Sequence, residues 1–155
     1  GKEPDMAHPL GVTTEINLHT PALLPNDYCG DIHQRLVIYK RLANCNTPEE
    51  LDDMHRELID RFGLLPEPAH ALLDSHRLRI AAKPLGISKV DASSEAIQSQ
   101  FVANPPIDPM KIITLIQSKR HSKMAGQDKL RIALRYGDVA QRVLAVKNFF
   151  SELVE

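Results

Sequence analysis

The chain has 155 residues, 43% of them hydrophobic and 25% charged, enough to bury a core without metal or disulfide support. Nineteen basic against twenty acidic residues leave a net charge of −1, which excludes a global field for nucleic acid or an anionic membrane. The absence of tryptophan, with only four Phe and three Tyr, gives poor material for stacking bases. No apolar run reaches the length of a membrane span, and no signal-peptide pattern is present. Cys29 and Cys45 are then expected as reduced thiols of a cytoplasmic protein.

Residues 1–11, "GKEPDMAHPLG", have no periodicity and read as a linker or disordered start. "VTTEINLHT" (12–20) alternates around Ile16 and Leu18, predicting a short strand, and Pro21, Pro25 and Gly30 make a loop of residues 21–30. Asp31 can cap a first helix, with Gln34 completing a capping box, and Ile32, Leu36, Tyr39 and Ala43 predict its buried stripe. Thr47, Pro48 and Glu50 open a second helix as N-cap, first residue and reciprocal cap; Leu51, Met54, Leu58 and Phe62 are its apolar face. Gly63 is placed to end that helix in a left-handed conformation. A third helix opens at Pro66 or Glu67 and runs to about Lys83, with Leu72, Leu73, His76 and Ile80 inward.

Beyond Pro84 the period changes. "GISKVDAS" and "EAIQSQFVA" predict a β-hairpin, the second strand alternating through Ile97, Ser99 and Phe101. Asp108 and Pro109 start a fourth helix carrying Ile112, Ile113 and Ile116. "SKRHSKMAGQD" reads as a polar loop, "KLRIALRY" as a strand through Leu130, Ile132 and Leu134, and Asp138 caps a last helix with Val139, Val143, Val146, Phe150 and Leu153 inward. The order β-ααα-ββ-α-β-α predicts an α+β fold, with a small mixed or antiparallel sheet of about four strands and about five helices.

The chemistry-bearing patterns are few. Neither a phosphate-binding glycine loop nor a GxSxG, HExxH or CxxC motif occurs, so no catalytic residue and no metal site is assigned. Cys29 and His33 stand four apart but lack a second pair at ligand spacing. Lys119, Arg120, His121 and Lys123, reinforced by Lys129 and Arg131, form a basic loop that can meet phosphates, although such loops are usually just solvated. On the second helix Asp53, Glu57 and Asp60 fall within about 60° of one another, opposite the apolar stripe. Arg56–Asp60 and Glu57–Arg61 pairs can offset their repulsion. That face is either plainly solvated or a docking strip for arginines, and the spacing alone leaves both open.

The stretch "RLVIYKRLANCNTPEELDDMHRELIDRFGLLPEPAHALLD" (35–74) resembles the C-terminal domain of bacterial transcription-repair coupling factors. The pieces are "RL..YKR" (Arg35, Tyr39, Lys40, Arg41), then "ELIDRFG.LP" (with Phe62, Gly63 and Pro66), then a leucine pair with an arginine downstream. The resemblance is specific to about Gly86 and weaker beyond. It implies that 12–155 form the regulatory domain of an ATP-dependent DNA translocase that releases stalled RNA polymerase and recruits nucleotide excision repair. It implies further that the domain docks on the parent's N-terminal, damage-recognition-like module and masks the repair-factor surface. Glu57, Asp60 and Arg61 become the expected docking residues, with Asp53 added by geometry alone. The fragment itself is expected to be non-enzymatic and cofactor-free, ATP and Mg belonging to the parent's motor. Polymerase, repair proteins and DNA are expected as partners only through that parent, with no membrane involved. The alternative is a nucleic-acid-binding accessory domain using the basic segment near 119–131.

Overall fold

The computed structural model describes residues 14–118, 121–133, 135 and 137–154. The expected linker over 1–11, Lys119, Arg120 and Leu134 lie outside the described residues. The described elements run β1 (Glu15–Asn17), α1 (Ile32–Ala43), α2 (Pro48–Phe62), α3 (Glu67–Ala82), a 3-10 turn (Lys83–Leu85), β2 (Ile87–Ala92), β3 (Ala96–Phe101), α4 (Pro109–Ser118), β4 (Ser122–Met124), β5 (Lys129–Ala133) and α5 (Val139–Val154). The fold is α+β, as the element order predicts.

The described strands form one mixed sheet in the order β1-β2-β3-β5-β4, with β1 parallel to β2 and the other pairs antiparallel. It has five strands where the sequence suggests about four. The addition is β4, inside the segment read as a polar loop. Ser122, Lys123 and Met124 pair with Ile132, Arg131 and Leu130, so the backbone of a sheet neighbour, not apolar alternation, makes this strand.

Two apolar clusters share α3. Leu24, Ile38, Leu42, Leu51, Met54 and Leu58 gather with Leu72 and Leu73 in a helical cluster. Leu78 and Ala82, two turns on, join Val90, Ile97, Leu130, Ile132, Val146 and Phe149 in the cluster beneath the sheet. Burying such side chains contributes roughly 1.5–3 kcal/mol each, which is what holds the two halves to one helix. Burial also pushes the His76 imidazole on α3 down to about 4, so it is neutral near pH 7; Arg79 beside it adds to the shift.

Local signals fix α2 closely. Thr47 Oγ1 accepts the Glu50 N–H at 3.1 Å, and Glu50 Oε1 accepts the Thr47 N–H at 3.1 Å, a complete capping box. Asp31 caps α1 differently from expectation: its carboxylate takes the His33 N–H at 2.9 Å. The α1 stripe is also displaced. Ile38 and Leu42 are buried and Arg35 and Tyr39 half-buried, whereas Ile32, Leu36 and Val37 are 58%, 59% and 56% exposed and Ala43 is exposed as well. α1 carries apolar residues on both sides, and its packing on α3 decides which side is covered. On α4, Leu115 rather than Ile113 is buried.

Candidate docking surface

α1 and α2 meet through charge as well as through the helical cluster. Arg41 on α1 donates two parallel hydrogen bonds to Glu57 on α2, Nη1 to Oε2 and Nη2 to Oε1, both at 2.7 Å. Arg61, one turn along α2, donates to the same Oε2 at 2.9 Å. Fork-on-fork pairing of this kind is the strongest form of carboxylate recognition by arginine. The Arg41 hydrogen bonds hold the Glu57 carboxyl well below its ordinary 4.5, at about 2, against an opposing desolvation, with Arg61 also lowering it.

Because that value lies below the unfolded one, the pair's contribution is fully present above about pH 4.5 and is lost as pH falls toward about 2. Both partners keep roughly a third or more of their side-chain surface in water, so the stabilisation is about 1 kcal/mol at most. Carboxyl-carbon NMR should find the Glu57 midpoint near 2 in the wild-type chain and shifted toward 4.5 in Arg41→Gln. An ordinary Glu57 midpoint in wild type would show that the pair does not persist in solution.

The other acids of this face behave differently. Asp53 pairs with Arg56, so the expected Arg56–Asp60 pair does not form, whereas the Glu57–Arg61 pair does. Asp60 is exposed, and its carboxylate has no hydrogen bond or ion pair with any described residue. Arg61 also lies over the Phe62 ring at 5.0 Å, and Phe62 meets Tyr28 at 5.6 Å between centroids.

The motif residues 35–41 are largely architectural. Arg35 donates to the Cys29 carbonyl at 2.7 Å, and the Tyr39 hydroxyl accepts the Leu24 N–H at 2.7 Å, so α1 pins the loop before it. Lys40 is exposed and makes no such contact. The Pro66 carbonyl accepts the His70 N–H at 3.0 Å, starting α3. Two contributors carry no signal in their own neighbourhood. Tyr28 donates its hydroxyl to the carbonyls of Gly63 at 2.8 Å and Leu58 at 3.2 Å, and Arg79 caps the end of α1 through the Leu42 and Cys45 carbonyls at 3.2 and 2.9 Å.

Gly63 has φ +94° and ψ −171°. Its φ is positive, as the sequence suggests, but its ψ is extended, so it is not left-handed helical. This is a region that only glycine occupies readily.

Elsewhere the described residues hold two buried thiols and several open concavities. None of their His, Cys, Asp and Glu side chains gather in threes to hold a metal. Cys29 and Cys45 are free and buried. A concavity of about 860 Å³ is open and lined by Phe101, Ile107, Ile112, Met124 and prolines among others. No described helix is long and apolar enough to cross a membrane.

The chain is an α+β domain with two apolar clusters, its first two helices joined by an arginine–carboxylate network. Its sequence agrees with one family: the model described as "TRCF domain" matches residues 18–112, and the chain belongs to that family. It is 37% identical over its whole length to the transcription-repair-coupling factor of Escherichia coli K12, of which it spans 14%. The Haemophilus influenzae factor is 41% identical over 77% of the chain and 10% of its own length, and the Myxococcus xanthus factor 31% over 70% and 9%. In fold it resembles the crystal structure of a C-terminal domain of transcription-repair coupling factor, with a TM-score of 0.78 over 94% of this chain and 95% of that one at 19% identity.

Proposed function

We propose that this chain is the regulatory docking domain of a translocase that couples transcription to repair. It does no chemistry of its own. It closes on the N-terminal module of its parent, and in doing so masks the surface that recruits excision repair and restrains the motor. The observation that carries this reading is the row of exposed aliphatic residues Ile32, Leu36 and Val37 on α1, beside the Arg41–Glu57–Arg61 network. Val37 lies one helical turn from Arg41, so apolar and charged groups adjoin. Aliphatic side chains rimmed by charge are what a recognition surface presents, and a merely solvated face has no use for them.

Within this reading the docking acids divide their roles. Glu57 is already held by two arginines and serves to fix their positions, while Asp60 is the carboxylate open to an incoming cation. Glu57→Ala would release Arg41 and Arg61 together, so Asp60→Lys and Leu36→Glu are the cleaner probes. In the full-length parent, either change should raise basal ATPase activity and repair-factor binding, by about tenfold or more if the lost contact is worth over 1.4 kcal/mol. Wild-type values in both assays, with the domain still folded, would sink the docking assignment.

A further inference from the structure

The outer face of the sheet carries a second surface, away from α1 and α2. Along β5, Leu130 and Ile132 are buried, while Lys129 and Arg131 alternate with them and are half-exposed. Register places Lys129 opposite Gln100 of β3, and Arg131 between Gln98 of β3 and Lys123 of β4. Lys123 and Arg131 are therefore like charges on directly opposed residues, an arrangement that costs a sheet stability. Arg135 and His121 continue the basic group around a shallow concavity of about 410 Å³, with Glu95 on its rim.

The cations of this face differ from the carboxylate-paired arginines on and around α2, although helix cations such as Lys40 and Lys111 also have no ion pair among the described residues. Arg41, Arg61, Arg56 and Arg77 each have a carboxylate partner. Lys123, Lys129, Arg131 and Arg135 have no ion pair with any described residue. The rest of the outer face is also polar: Lys89 and Asp91 on β2 line a small depression with Gln98, Gln100 and Lys129.

We infer that the β3–β5–β4 face binds the phosphate backbone of duplex nucleic acid through Lys123, Lys129 and Arg131, with Gln98 and Gln100 as neutral hydrogen-bonding neighbours. Unpaired cations beside amides are what phosphate oxygens require. A protein partner would call for an apolar centre, which these strand positions lack. Among the described residues the face carries no Phe, Tyr or Trp as a platform for stacking unpaired bases, so the preference is for duplex over single strand, without sequence selectivity. The contact sits on the strands: of the expected basic loop, Lys123 lies on β4 and His121 borders the adjoining concavity.

Anisotropy titration of a fluorescein-labelled duplex of about 20 bp with the 155-residue chain tests this, since three phosphate contacts give a log–log salt slope of about −3. Lys129→Glu with Arg131→Glu should weaken binding at least about tenfold at low salt, and Lys123→Glu alone should flatten the slope by about one. The conservative Lys129→Arg with Arg131→Lys should keep it. Lys123 is exposed on a short edge strand, so its variant reports on binding even if the double variant proves less stable. Wild-type affinity and slope in Lys123→Glu, or no salt dependence in wild type, would overturn the proposal. So would preferential binding of poly-glutamate, which would assign the face to an acidic polypeptide.

Discussion

A Leu58→Ala chain should be less stable than wild type by about 2–5 kcal/mol in chemical denaturation. Leu58 is 1% exposed, on the inner face of α2, among Ile38, Leu42, Leu51 and Leu73. Removing its isobutyl group both loses apolar burial and leaves a cavity among side chains held by three helices. Asp60→Lys, two residues on and facing water, should change stability by no more than about 0.5 kcal/mol. The contrast matters for function. It allows the exposed face of α2 to be altered without disturbing the packing beneath, which any docking experiment in the parent protein requires. Equal losses in the two variants would mean that the inner and outer faces of α2 are wrongly assigned.

Gly63→Val should cost about 1–3 kcal/mol, read as a lowered Tm, and Gly63→Ala nearly as much. A Cβ built on Gly63 meets nothing within 4 Å, so there is no clash for a smaller side chain to avoid. The cost is in the backbone, at φ +94° and ψ −171°, where a side chain of any size is strained. Relaxing that strain would move the Gly63 carbonyl, which accepts the Tyr28 hydroxyl at 2.8 Å, and so would loosen the loop from the end of α2. Wild-type Tm in both variants would show that the turn adopts another conformation at little cost.

The second helix is legible as an element from sequence because its start, its stripe and its stop are local, although the conformation of Gly63 and the partner of Arg56 are not. Its capping box spans Thr47 to Glu50, its stripe repeats at helical spacing, and its stop is a glycine. The first helix is legible as a helix but not for its buried face. Ile32 and Leu36 repeat as regularly as Arg35, Ile38 and Leu42, and packing against α2 and α3 chooses between them, with Tyr39 half-buried at the border. The same distinction divides the candidate site. Glu57 and Arg61 lie one turn apart, so their pair can be anticipated, whereas Arg41 reaches Glu57 from another helix. β4 cannot be anticipated because three polar residues carry no pattern, their pairing with β5 being made by the backbone. The family motif marks Arg35, Tyr39 and Arg41 without revealing that the first two secure a loop and the third holds a carboxylate.

The parallel pairing of β1 with β2 bears on how the chain reaches its native state. Ile16 aligns with Val90 although all of α1, α2 and α3 lie between them in sequence. The β2–β3 hairpin closes over a few residues and the three helices close over short connections, so these parts can assemble early. β1 has to wait until the helices have drawn its end of the chain back to the sheet, because the entropy of closing so long a loop is lost before its contacts are gained. A single three-residue strand is thus expected to be placed last. Peeling it away would leave the α1–α2 surface and the β3–β5–β4 face each standing on its own core.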